Sequence, residues 1–237
     1  MHDSLGDRMK VNYESRTKTL LPRRTYSIIR IDGKAFHTYT RGLERPFDKQ
    51  LVEDMNATAI CLCSEIQGAK FAFVQSDEIS ILLTDFDKLT TSAWFDGSIQ
   101  KIVSVSASIA TAVFNQIRAG KQAMFDSRVF TIPSRTEVEN YFIWRQQDAT
   151  RNSISSVAQS LYSHRELNTK SVSVMQDMCM DKGVNWNDFD DGLKRGRLIV
   201  KEEYVKDETT RSRWISTDPP IFTQERSVLR DMIPEME

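Results

Sequence analysis

At 237 residues, with 40% hydrophobic and 27% charged side chains, the chain suits one large domain or one domain with a helical extension. It contains no apolar run long enough to cross a bilayer, and Met1–Lys10 is polar and lacks the apolar centre of a signal peptide, so the cytosol is the expected compartment. A net charge of −1 neither announces nor excludes a nucleic-acid partner, because a local patch can act where the average is neutral; the clusters Arg23-Arg24, Lys194-Arg195 with Arg197, and Arg211 with Arg213 read from charge alone as solvated surface.

The first twenty residues read as a leading helix or arm. Tyr26–Asp32 is β-branched and bounded by a glycine, which predicts a buried strand. Gly33–Thr40 and the Pro46-containing Gly42–Asp48 are loops or short turns. From Asp48 to Ile66, apolar residues recur at helical spacing, and the C-x-C pair Cys61 and Cys63 lies inside that pattern. These two are expected to be buried reduced thiols; with few further ligands and His2, His37 and His164 scattered, no structural zinc is expected. Phe71–Val74 and Ile79–Leu83 flank Gln75-Ser76-Asp77-Glu78 and predict a β-hairpin, with Trp94-Phe95 as flanking core. Ser98–Ala119 is a second amphipathic helix, and Arg128–Ile132 is a strand closed by Pro133.

That order, strand, helix, strand, strand, helix, strand, predicts an α+β ferredoxin-like arrangement: one antiparallel sheet with two helices on one face. Beyond it the chain turns mainly helical, over Glu137–Ala158 and Val172–Met180, with Leu198–Tyr204 as a returning strand. The expected division is 1–135 for the sheet domain and 136–237 for a mainly helical extension packed on it.

Two acidic points stand out. Asp32 ends the first strand, and Asp77 with Glu78 tips the hairpin. If the first strand is central and neighbours the strand that opens the hairpin, Asp32 and Asp77 come together, and two carboxylates at one spot call for a cation between them. Mg²⁺ takes oxygen ligands and keeps positions for water and phosphate. Gly33 lets the backbone approach a ligand and offers a carbonyl as third ligand, and Lys34-Ala35-Phe36-His37 can turn amides toward phosphate. Taken singly, Asp-Gly and Ser-Asp-Glu are ordinary turn chemistry.

Several strings together resemble the tRNA-histidine guanylyltransferase family. Arg30-Ile31-Asp32-Gly33-Lys34-Ala35-Phe36-His37 is similar to R-[IL]-D-G-x-x-F-H, and Arg45-Pro46-Phe47-Asp48 to K-P-N-D. Gln75-Ser76-Asp77-Glu78-Ile79-Ser80 resembles Q-S-D-E-[YF]-S, Phe125–Val129 resembles F-D-[GA]-R-V, and Tyr141–Asp148 resembles Y-L-x-W-R-Q-x-D. The resemblance implies a palm-like domain, as in polymerases and nucleotide cyclases, that runs polymerisation backwards. A tRNA 5′-monophosphate is activated with ATP or GTP, and the 3′-hydroxyl of an incoming NTP then attacks the activated end and releases the activating nucleotide as its monophosphate, such as AMP; a 5′ end that is already a triphosphate needs no activation and releases pyrophosphate. It also implies that Asp32, the Gly33 carbonyl and Asp77 hold two Mg²⁺ ions, with Glu78 orienting Asp77. Lys34 to His37 would lie along the triphosphate. Arg45, Asp48, Gln75 and Ser76 would form the activating-nucleotide pocket, and Lys101 a phosphate contact. Arg128, Asp148, Asn152, Lys182 and Arg195 match positions near nucleotide or RNA. Phe36 and Trp144 read as core aromatics rather than stacking platforms, and Arg145 and Asp148 can simply pair with each other.

One departure matters. Where eukaryotic members carry H-I-N-N-L-Y-N, this chain has Thr150-Arg151-Asn152-Ser153-Ile154-Ser155-Ser156. That is the pattern of the guanylyltransferase-like branch of bacteria and archaea, and it implies template-dependent repair of 5′-truncated tRNA rather than a single guanosine added to tRNA-histidine. A homotetramer is implied by resemblance alone. The alternatives of another class are a purine nucleotide cyclase and a non-catalytic tRNA-binding protein.

Overall fold

The computed structural model describes residues 4–236; His2 lies outside them. The chain opens with an exposed arm, the helix α1 (Leu5–Asn12) capped by the Ser4 hydroxyl, followed by a turn of 3-10 helix at Glu14–Thr17. Next come β1 (Tyr26–Gly33), the short helix α2 (Phe36–Tyr39) and α3 (Lys49–Glu65). The Asp48 carboxylate caps α3 by accepting the Leu51 amide at 2.7 Å. Then follow β2 (Ala69–Gln75), β3 (Glu78–Leu83), α4 (Ile99–Ile117), β4 (Phe125–Ile132) and the long α5 (Arg135–Leu161). The remainder comprises α6 (His164–Leu167), α7 (Val172–Asp181), α8 (Asp191–Arg195), β5 (Arg197–Lys206), β6 (Thr209–Thr217) and α9 (Arg226–Met232).

The sheet order is β4-β1-β3-β2-β5-β6, and every neighbouring pair is antiparallel. The first four strands are the ferredoxin-like order. The two-residue periodicity of the strands splits their side chains between two cores. Ile29, Ile31, Ala72, Val74, Ile79 and Ile81 pack with Met55, Ala59 and Leu62 of α3 and Ile102, Ala110 and Phe114 of α4. Tyr26, Ile28, Phe71, Phe73 and Leu82 pack on the opposite face with Val138, Tyr141 and Phe142 of α5 and with Phe222, Leu229 and Ile233. A third core joins the second half of α5 to α6, α7 and Trp186. Cys63 is buried in the first core as expected, but its neighbour Cys61 is only partly buried; Cys179 is buried in the third core, and all three cysteines are free thiols.

The two helices of the ferredoxin-like unit, α3 and α4, lie on one face as expected, and the chain beyond 135 packs on the other face through α5, whose Val138, Tyr141 and Phe142 present a second apolar stripe to the sheet. Two expectations change. The chain beyond 135 is not only a helical appendage, since β5 pairs with β2 and extends the same sheet, and β6, unmarked in the sequence reading, pairs with β5. Finally, β1 neighbours β3, the strand that closes the hairpin, not β2, which opens it. The crossover through α3 sets β2 parallel to β1 one position away, and the antiparallel β3 fills the gap.

Candidate functional site

The site lies where β1 ends against the β2–β3 hairpin. Gln75 and Glu78 are register partners, leaving Ser76 and Asp77 as a two-residue turn, with Ser76 in the left-handed region at φ 46. Asp32 is the register partner of Glu78 on one side and of Asp126 on the other. Asp77 therefore reaches Asp32 as the residue next to Asp32's own partner, by a different route from the one expected.

Register partners in an antiparallel sheet share a face. On the α5 side the strands thus present a row of acids, Asp126, Asp32 and Glu78. Behind it stands the row Arg128, Arg30 and Ser80, and then the apolar row Phe130, Ile28 and Leu82. Side-by-side carboxylates repel, and the guanidinium row offsets part of that cost. Burial pushes the Asp77 carboxyl up to about 6; the charges of Asp32 and Glu78 act the same way, against bonds from the Ser76 hydroxyl and its own amide.

Glu78 does not orient Asp77. Its carboxylate accepts two bonds of 2.8 Å from Arg145, whose Nη2 also reaches Asp148 at 2.8 Å. Arg145 and Asp148 thus pair as their spacing allowed, and Glu78 joins them. Burial disfavours the Asp148 carboxylate, but bonds and charge from Arg151 and Arg145 outweigh that and hold its carboxyl below the usual range. Gln75 turns its amide nitrogen toward Glu78 (3.3 Å) and Asp148 (3.5 Å), which leaves its buried Oε1 without a partner. Glu78, Arg145, Asp148 and Gln75 form a rigid charged floor.

Above that floor opens a cavity of about 550 Å³, a size that holds a nucleotide. Asp32 and Asp77 stand on its rim with Arg45, Asp48 and Ser76, and α5 gives it a polar wall of Asn152, Ser155, Ser156 and Gln159. The stretch that departs from the family pattern therefore lines this cavity. Arg197, absent from the candidate residues, also lines it. Its Nε bonds Asn56 at 3.0 Å, its Nη2 is buried without a partner, and burial pulls its pKa down to about 10 against the pull of Asp218. The signal for it was a charged residue at the head of an apolar strand, in Arg197-Leu198-Ile199-Val200.

Other candidates fall elsewhere. The Asp48 carboxylate caps α3 and pairs with Arg118 at 3.5 Å, so its role is structural as well as cavity-lining. Gly33 is held by packing, since a Cβ there would lie 2.1 Å from the Phe36 ring. Phe36 itself is a core aromatic stacked on Tyr39 and touching Phe114 and Phe125, so its ring is no base platform. Lys34, Ala35 and His37 are exposed on the turn after Asp32, with Ala35 left-handed at φ 54, and the Lys34 amide already donates to the Met124 carbonyl. None of the three lines the cavity.

Lys101 is displaced. It sits in the first turn of α4, which starts at the opposite end of the sheet from Asp32 and runs toward it. The helix rise places Lys101 about 24 Å from the α4 end nearest Asp32. Its ammonium instead lies 6.0 Å from the Phe95 ring. Trp94 packs on the core, but Phe95 is partly exposed and left-handed, so the pair is not simply hairpin core. Arg128 pairs with Asp126 at 3.3 Å. Asn152 donates to Asp148 at 3.4 Å. Lys182 lies over Tyr162 at the end of α7, and Arg195 pairs with Asp191 over Trp186; both stand outside the cavity lining. Trp144, expected in the core, is 46% exposed.

The oxygen donors at the rim are the carboxylates of Asp32 and Asp77. Among the described residues no group of three or more His, Cys, Asp or Glu side chains is disposed to hold a metal. A sparse oxygen set of this kind fits Mg²⁺, which fills its other positions with water and phosphate oxygens.

Known proteins resemble this chain in sequence and fold. The profile of the tRNAHis guanylyltransferase family matches residues 6–133. A bacterial tRNA(His) guanylyltransferase-like protein solved in complex with ATP is 47% identical, with a TM-score of 0.88, covering 97% of this chain and 99% of that one. The corresponding complex with GTP superposes with a TM-score of 0.86. The tRNA(His) guanylyltransferase of Debaryomyces hansenii is 28% identical over 81% of this chain and 79% of its own. With its profile match over more than half its length, its sheet order and its acid-rimmed nucleotide-sized cavity, the chain belongs to the tRNAHis guanylyltransferase family of nucleotidyltransferases.

Proposed function

We propose that this protein adds nucleotides to the 5′ end of tRNA in the 3′-to-5′ direction, as a template-dependent repair enzyme for 5′-truncated tRNA. The observation that carries the reading is the convergence of Asp32 and Asp77 on the rim of a single nucleotide-sized cavity. ATP or GTP would occupy that cavity and activate the 5′-phosphate, and the names of the bacterial relatives, solved with each, support that choice.

Asp32, the Gly33 carbonyl and Asp77 would hold Mg²⁺, two ions by family resemblance. When bound, Mg²⁺ lowers the pKa of the attacking 3′-hydroxyl and neutralises the triphosphate. The chain supplies the rest. Arg45 meets phosphate at the rim. The α5 wall offers amide and hydroxyl groups, each both donor and acceptor, to ribose and base. The Glu78–Arg145–Asp148 clamp fixes the floor so that the bound nucleotide meets a preorganised surface. Residues 1–135 carry the chemistry in this reading, and 136–237 add the wall and the tRNA contacts, with Lys182 and Arg195 on RNA phosphate. A cytosolic homotetramer completes the proposal.

The test is extension of a 5′-monophosphorylated tRNA lacking its first nucleotide, with each NTP in turn, beside full-length tRNA-histidine. Addition directed by the opposing base on the truncated tRNA is expected. Guanosine addition to tRNA-histidine alone would replace repair with the histidine-specific reaction. A cyclic nucleotide formed from GTP without RNA would sink both.

A further inference from the structure

We infer that Trp144 is a stacking platform for the nucleobase at the 5′ end of the RNA substrate; this rests on the reading above and deepens it. Joining two nucleotides requires two of them beside Asp32 and Asp77, and the cavity houses one. On α5 the lining residues Arg145, Ala149, Asn152 and Ser156 fall along one stripe. Trp144 is rotated roughly 100° from Arg145 around the helix. Its ring lies 5.8 Å from that of Tyr141, which in turn meets Phe130 of β4 at 5.6 Å. Trp144 thus stands beside the cavity, outside its lining, on the side of α5 toward β4. There the same sheet face presents Asp126, the partner of Asp32, and Arg128, whose side chain is 50% exposed.

The indole is open to solvent yet fixed in place. The Arg145 guanidinium sits 4.3 Å from its ring centre, and that guanidinium is itself clamped by Glu78 and Asp148. Little side-chain entropy remains to be lost on binding. An aromatic plane held this way offers its free face to any base, since every base has a π-face, while Arg128 supplies charge for the adjoining phosphate. Stacking is indifferent to base identity, which suits an enzyme that meets a different terminal nucleotide on each damaged end.

The experiment uses the full chain, the truncated tRNA, GTP and Mg²⁺. Trp144→Ala should raise KM for the RNA by about tenfold or more, with KM for GTP within about twofold of wild type, and Trp144→Phe should recover most of the loss. RNA alone should quench tryptophan fluorescence in wild type, and that quench should shrink in Trp144→Phe. An unchanged RNA KM in Trp144→Ala, or equal quenching in wild type and Trp144→Phe, overturns the platform. So does quenching by GTP with none by RNA, which would give the indole to the incoming nucleotide. The quench needs no turnover. A wild-type protein that shows the Trp144-dependent quench but adds no nucleotide would therefore reject the proposed reaction and keep the platform.

Discussion

The two faces of the sheet are built from the same strands and have opposite character. Toward α3 and α4, β1 and β3 send Ile29, Ile31, Ile79 and Ile81, all fully buried. Toward α5 the same strands send Asp32, Arg30, Glu78 and Ser80 near the tip and turn apolar only lower down, at Ile28 and Leu82. One face holds the fold together with apolar burial. The other bears the destabilising task of gathering like charges, which is affordable because the first face is so well packed. Substitutions one residue apart along β1 should therefore separate activity from stability.

The sharpest separation comes from Asp32→Asn. Nucleotide addition should fall by about 10³-fold or more, because the carboxylate is proposed to hold the cation that stabilises the charged transition state. Thermal melts give a readout that does not depend on turnover. Mg²⁺ should raise the Tm of wild type and not that of Asp32→Asn, and without Mg²⁺ the variant should melt higher, since the Asp126–Asp32–Glu78 row loses a like charge. A full Mg²⁺ shift in the variant would remove Asp32 from the metal site.

Next in size is Arg145→Met. It leaves Glu78 buried without its two guanidinium bonds and should cost about 3 kcal/mol in denaturant unfolding. Adding Glu78→Gln should return part of it, because the stranded charge is gone. A loss below about 1 kcal/mol in the single variant would mean that the clamp is not holding the floor.

Gly33→Ala tests the point where the faces meet. A Cβ there runs into the Phe36 ring, so about 1–3 kcal/mol of stability should be lost as that aromatic core shifts, with activity falling alongside because Asp32 is adjacent. Ile31→Val, one residue from Asp32 but on the other face, should cost only about 1 kcal/mol in chemical unfolding and leave kcat unchanged. A large kcat loss in Ile31→Val would erase the distinction between the faces.

Local chemistry fixed much of this in advance. β-branched and apolar runs bounded by turn residues wrote β1, β2 and β3 into the sequence, helical spacing wrote α3 and α4, and the acids at 32 and 77 announced themselves at strand ends. These features depend on near neighbours, which a sequence displays. What the tertiary structure alone decided involved partners far apart in the chain. The register that sets Asp32 between Glu78 and Asp126 spans 46 and 94 residues of sequence. The return of β5 and β6 to the sheet depends on the edge of β2 being free to accept main-chain bonds, which no local pattern records. The direction of α4 carried Lys101 to the wrong end, and the rotation of α5 put Trp144 in solvent and Arg145 inside. Periodicity says that a helix has faces, but which face meets which strand is settled only when the strands have found their order.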